Sequence, residues 1–272
     1  MRVKLERIQE MDYALTESYN TLRTNLQFCG DDIRVLMLTS CTPNEGKSTV
    51  SMNLCRSLAE DGKKVVLIDA DLRKSVLVGR HGVTVEDGES GKKKAKVKGL
   101  SHYLTGQSKQ EEALYETDIE NLYCMFAGPV VPNPTELLGN KYFEMLISNL
   151  REEYDYVIID APPLGSVIDG AIISKVADGA IIVIENNRIS YKFVQNVKKQ
   201  LETAECRILG TVLNKVGMNE GGYYNGYYKG YYKGYYKGYY KQYGQYGGYY
   251  GEETDNKPHK KAKRSRKEKK SK

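Results

Sequence analysis

Apolar residues along the chain follow two kinds of pattern. Near the N-terminus Leu15, Tyr19, Leu22 and Leu26 recur at spacings of three and four, which predicts an amphipathic helix within residues 1–32. Residues 33–220 instead alternate short continuous apolar runs with segments of helical length. The runs are IRVLMLTS (33–40), VVLID (65–69), NLYCMF (121–126), YVIID (156–160), AIIVIE (180–185) and ILGTVL (208–213). A run with no polar alternation is buried on both faces, so the pattern predicts an α/β fold with a mostly parallel sheet flanked by helices. Residues 80–98, RHGVTVEDGESGKKKAKVK, interrupt it and read as a solvated surface loop.

The pattern ends at residues 221–251, a near four-residue repeat of YYNG, YYKG and YYKQ followed by YGQYGGYYG. Its tyrosines are Tyr223, Tyr224, Tyr227, Tyr228, Tyr231, Tyr232, Tyr235, Tyr236, Tyr239, Tyr240, Tyr243, Tyr246, Tyr249 and Tyr250, fourteen within 28 residues. With that much glycine and no aliphatic residue, the segment buries too little to offset its ordering entropy and is expected to be a disordered, exposed tail. A basic segment, 252–272, follows.

Charge changes the picture in one respect. The chain of 272 residues carries a formal +6, yet residues 257–272 alone hold ten Lys or Arg and one acid, a net of +9. The rest is 31 basic against 34 acidic residues, mildly acidic, which argues against the broad basic surface of a nucleic-acid-binding domain. Five scattered cysteines show neither metal-ligand nor disulfide spacing, the usage of a cytosolic protein with reduced thiols. The first residues lack the apolar run of a signal peptide, and no stretch approaches 18 apolar residues.

The chemistry gathers at the ends of three runs. CTPNEGKST (41–49) stands between a strand and a helical pattern, the setting of a phosphate-binding loop. Backbone amides of Pro43, Asn44, Glu45, Gly46, Lys47, Ser48 and Thr49, or of those among them that have an N–H, would surround phosphate oxygens at a helix N-terminus. Lys47 would reach the terminal phosphates of ATP, and the Ser48 hydroxyl would ligate Mg²⁺. Cys41 takes the place of the first glycine of the usual pattern; the helix-terminus amides and Lys47 could lower its thiol pKa and make it oxidisable, though steric tolerance is the plainer reading. VVLIDADLRKS (65–75) ends a second strand with Asp69 and Asp71, and YDYVIIDAPP (154–163) ends a third with Asp160. Carboxylates at the carboxyl ends of parallel strands fall beside the phosphate loop, where they can deprotonate a hydroxyl or hold the metal. Asp169, beyond the prolines, reads as a helix N-cap.

This set, with AGPVVPNPTELL (127–138), GLSHYLTG (99–106) and the tyrosine cluster, resembles the bacterial tyrosine kinases of capsule and exopolysaccharide synthesis over roughly residues 13–250. The resemblance implies a P-loop kinase domain related to the ParA/MinD ATPases, using ATP and Mg²⁺ to phosphorylate its own tail on a neighbouring copy. It implies Asp69 as general base, Asp71 and Asp160 serving the metal, and Asn214 near adenine. Arg73 would contact a phosphate or partner, or merely form a surface ion pair. The implied partners are a separate transmembrane activator of polysaccharide polymerisation or export, a phosphotyrosine phosphatase and other copies of the chain. The implied location is cytoplasmic, at the inner face of the membrane through that activator. The family's N-terminal Glu-x-x-Arg-x-x-Arg ring contact is incomplete: Glu17 and Arg23 are present, but Asn20 replaces the first arginine, and an amide cannot supply a bidentate guanidinium contact.

Two other readings share these residues. Thr42 stands where a partitioning ATPase of the ParA/MinD type carries its signature lysine, which counts against that class. Tyr/Gly repeats can also serve as assembly elements. Finally, the +9 segment could attract an anionic membrane surface until tail phosphotyrosines neutralise it, with a solvated, solubilising tail as the alternative.

Overall fold

All six apolar runs form strands. The computed structural model describes residues 1–8, 10–85 and 97–216, so the tyrosine cluster, the basic segment and residues 86–96 lie outside the described residues. In chain order the first half contains β1 (Val3–Leu5), α1 (Tyr13–Gln27), β2 (Val35–Ser40), α2 (Lys47–Glu60), β3 (Val65–Asp69), α3 (Leu77–His81), β4 (Val83–Val85), α4 (Leu100–Leu104) and α5 (Gln110–Ala113). The second half contains β5 (Leu114–Glu116), β6 (Leu122–Met125), α6 (Pro134–Leu138), α7 (Lys141–Glu153), β7 (Tyr156–Asp160), α8 (Asp169–Ile173), β8 (Gly179–Glu185), α9 (Tyr191–Thr203) and β9 (Ile208–Asn214).

Seven strands form one sheet in the order β5-β6-β3-β7-β2-β8-β9, parallel except for antiparallel β5 at one edge. Alternate residues of each strand feed opposite cores. Val35, Met37, Val66, Ile68, Val157 and Ile159 pack with Phe143 and Leu146 of α7 on one face. Leu36, Leu38, Val65, Leu67 and Ile158 pack with Leu54 and Leu58 of α2 on the other. All are essentially inaccessible to water, which explains the unbroken apolar runs. Truncating one of these leucines to alanine is expected to cost about 2–5 kcal/mol.

From β2 the chain passes through α2 to β3 and leaves between them the place that β7 fills. Such a reversal of strand order opens a crevice at the carboxyl ends of the strands, where α/β proteins bind ligands. GLSHYLTG and AGPVV meet just past the carboxyl end of β6: the Leu100 and Ser101 amides donate to Phe126 O and Ala127 O at 2.7 and 2.9 Å. A side chain at Gly99 would strike Phe126 O at 2.2 Å, so the close approach requires glycine.

The N-terminal helix follows the sequence pattern. Asp12 caps α1 by accepting from the Leu15 amide at 2.8 Å, and Tyr19 and Leu26 are its buried residues. Arg23 Nη1 donates to Ser57 O of α2 at 2.6 Å, and Asn20 Oδ1 accepts from Ser57 Oγ at 3.4 Å. Asn20 and Arg23 of the incomplete ring pattern thus contact α2 of their own chain. The stretch 80–98 is not simply a loop. His81 ends α3, buried, and β4 pairs antiparallel with β1, a three-residue strand that the helical pattern of residues 1–32 left out.

Candidate active site

The phosphate loop connects β2 to α2 and is held from below by its own glutamate. Glu45 is 1% exposed; its carboxylate accepts from the Thr42 amide and from Thr42 Oγ1 at 2.8 Å, and its other oxygen accepts from the Glu185 amide at 3.1 Å. Its side chain therefore faces inward, and only its backbone is available to a phosphate. Gly46 takes φ +91°, and Asn214 Nδ2 lies 2.0 Å from where a Cβ would stand, so only glycine fits. Asn214 Nδ2 donates to Glu45 O at 2.9 Å; the side chain expected beside adenine bonds the loop backbone here. The first loop amides to find a helical partner are those of Thr49 and Val50, both reaching Gly46 O. The amides before them are the unpaired donors that a helix start presents to an anion.

Cys41 fits the plainer of its two readings, steric tolerance. Fully buried and beside the negative Glu45, its thiol is pushed up to about 12, because burial and a nearby carboxylate both oppose a thiolate. Both influences run against the lowered thiol pKa that a redox role would need.

Three carboxylates gather as their strands predict, with different environments. Asp69 and Asp160 are directly paired across β3 and β7, each 1% exposed. Lys47 Nζ donates to Asp160 Oδ1 at 2.7 Å, and Ser51 Oγ, one turn along α2, donates to the same oxygen at 3.0 Å. Asp160 Oδ2 is buried with no hydrogen-bond partner. Lys47 Nζ also lies 3.4 Å from Ser48 Oγ, so lysine, serine and carboxylate share one spot. Burial, then the negative Asp160 alongside, push Asp69 up to about 7. The Ser75 hydroxyl, Lys47 and the Asp71 amide work against that rise. Ser75 Oγ donates to Asp69 Oδ2, a contact that no motif announced. Asp71, half-buried, accepts from the Lys74 amide at 2.9 Å, a turn-capping role beside the site. An unpartnered buried carboxylate oxygen next to a serine hydroxyl fits Mg²⁺, which takes few protein ligands and completes its shell with water and phosphate.

Comparison with known proteins decides what the site belongs to. A family described as an AAA domain matches residues 43–212. The tyrosine-protein kinase CpsD of Streptococcus agalactiae serotype III (strain NEM316) is 41% identical over 207 residues, which cover 76% of this chain and 85% of the relative. The chain belongs to the bacterial tyrosine-protein kinases. The kinase domain of the Escherichia coli tyrosine kinase ETK shares the fold of this kinase with TM-score 0.69 and 29% identity, covering 76% of this chain and 78% of that one. The septum site-determining protein MinD of Pyrococcus horikoshii OT3, solved with Mg-ADP, follows at TM-score 0.55 and 28% identity, covering 69% and 72%. The partitioning-ATPase reading is therefore a relationship of fold.

One part of the kinase departs from its sequence expectation. The helix cap of α8 is Ile168, and Asp169 lies inside the first turn with its carboxylate turned to Arg73. Arg73 Nε and Nη2 grip the two Asp169 oxygens at 2.6 and 3.0 Å, and Thr135 Oγ1 of α6 donates to Asp169 at 2.6 Å. Arg73 thus forms the ion pair that was one of its two expected roles, but with a carboxylate that is 1% exposed. Only Ser51 among the missed residues carried a sequence signal: it follows Lys47 by four positions and so shares its helix face. Among the described residues no helix is long and apolar enough to cross a membrane.

Proposed function

We propose that this kinase transfers the γ-phosphoryl group of ATP to tyrosines among Tyr223–Tyr250 of a neighbouring copy. The observation that supports the reading best is the pairing of Asp69, pushed to about 7, with the Lys47–Asp160 ion pair one strand away. A base with a pKa near neutrality accepts a proton without being protonated throughout. Asp69 takes the tyrosine hydroxyl proton while the phenolic oxygen bonds the γ-phosphorus and the bond to the ADP leaving group breaks. Lys47 turns from Asp160 to the terminal phosphates, and the loop amides at the start of α2 hold the remaining charge. Ser48, Asp71 and Asp160 would hold Mg²⁺, which supplies charge neutralisation on the phosphates.

The family supports the wider setting: a cytoplasmic kinase at the inner face of the membrane, stimulated by a transmembrane activator, reversed by a phosphotyrosine phosphatase, and regulating polysaccharide synthesis or export. The basic segment adds attraction to an anionic membrane surface. Mixing a Lys47→Met chain with an active chain lacking residues 221–272, in Mg-ATP, tests the central claim. Phosphotyrosine should appear on the Lys47→Met tail. ATP hydrolysis with no label on that tail, while the intact chain labels itself, would exclude transfer between copies.

A further inference from the structure

The end of β9 reaches across to the phosphate loop with two consecutive side chains. Next to Asn214, which holds Glu45 O, Lys215 Nζ donates to Asn44 O at 2.7 Å and to Glu185 Oε2 at 3.0 Å. Asn44 and Lys215 both take left-handed backbone, φ +69° and +59°, which non-glycine residues adopt at some cost unless their surroundings hold them there. The bond between them joins these two local strains. Glu185, at the end of β8, accepts from Arg188 at 2.6 Å on the same oxygen that takes Lys215, so two cations meet on one carboxylate oxygen. The Lys215 ammonium thus bonds one loop carbonyl, Asn44 O, and one carboxylate at the end of β8, Glu185.

We propose that Lys215 is a positioning residue for nucleotide binding, which fixes the Asn44 carbonyl so that the phosphate loop is already in its binding shape before ATP arrives. This rests on the reading of residues 41–49 as the ATP phosphate loop. Preformed loops bind more tightly because the ordering entropy has been met in advance. Removing the ammonium frees the Asn44 peptide and weakens ATP, while the groups that act on the transferred phosphoryl stay in place.

The test uses the full chain. Lys215→Ala should raise the KM and Kd for ATP about fivefold, the usual worth of one half-exposed charge-assisted hydrogen bond, and leave kcat for tail phosphorylation within about twofold. Lys215→Arg, which can donate to both acceptors, should restore the ATP KM, and Glu185→Gln should reproduce part of the loss. Melting of the nucleotide-free Lys215→Ala chain separates loop shaping from general destabilisation. Equal ATP affinity in wild type and Lys215→Ala overturns the proposal. So does a fall in kcat at unchanged KM, or an unfolded Lys215→Ala with a Lys215→Arg chain that binds ATP no better than a loop-disrupted Gly46→Ala control. Wild type that fails to bind ATP at all would instead remove the phosphate-loop reading, and the proposal with it.

Discussion

Two aspartates of the kinase are equally buried and point in opposite electrostatic directions. Asp69, at the end of β3, has a second carboxylate as its strand neighbour and rises to about 7. Asp169, at the start of α8, has a guanidinium on both oxygens. Burial opposes its charge, but Arg73 and Thr135 overcome that and hold it below the usual carboxylate range. Burial alone therefore does not mark a reactive group. A carboxylate packed against its own kind keeps a proton ready to exchange, and one packed against arginine is a fixed charge that ties elements together. The first arrangement suits proton transfer, and the second fixes the segment after β3 to α6 and α8.

The largest effect should come from the cation that serves the first cluster. Lys47→Met removes the partner of Asp160, and with it the charge meant for the terminal phosphates. Tail phosphotyrosine should fall by about a hundredfold or more in Mg-ATP, measured by mass spectrometry of the tail peptides. Labelling at the wild-type rate would remove the phosphate-loop assignment. Asp69→Asn comes next. It should keep ATP affinity and lower phosphotransfer by about 10²–10⁴, the usual worth of a general base. If ATP affinity in the presence of Mg²⁺ collapses instead, Asp69 serves the metal and Asp71 takes over as base.

The first cluster could be read along the chain far more fully than the second, and the reason is geometric. Strand ends announce themselves: a run such as VVLID must be buried on both faces, so its terminal Asp69 falls at the sheet's carboxyl edge. The P-loop follows from spacing that backbone amides impose on a phosphate. The second cluster joins Arg73 to a residue 96 positions away, and no local periodicity encodes such a meeting. The same holds for β1, which finds β4 across some eighty residues, and for β5, whose LYE is too short and mixed to read as a strand. The inward turn of Glu45 was hidden for another reason: within a binding motif an acid is read by its position, and its side chain is free to serve the core. Asp169 misled because an acid at a helix start is a good cap, and only the fold shows that Ile168 holds the cap position.

The smallest expected effect separates the two aspartates by the sign of their pH dependence, in nucleotide-free, metal-free protein. Asp69 titrates at about 7 in the folded chain against an ordinary value of 3.8. Its raised pKa contributes stability that is full below about pH 4 and disappears as the pH rises through 7. Asp69→Asn has no such loss, so it should melt closest to wild type near pH 4, gain on it steadily as the pH rises toward 7, and hold that gain at pH 8. Asp169 is lowered, so its contribution is present above the ordinary carboxylate range and lost only as the pH falls through its folded value. Asp169→Asn should therefore cost stability at pH 8 and progressively less in acid. The loss at pH 8 should be about 1–2 kcal/mol, below that of a fully buried pair, because the Arg73 side chain is 40% exposed and can return to water. Denaturant melts of wild type and both variants at pH 3, pH 5 and pH 8 give the comparison directly. Shifts of the same sign in the two variants would show that Asp69 and Asp169 are one kind of buried carboxylate, and the distinction between a proton-exchanging site and a structural tie would fall.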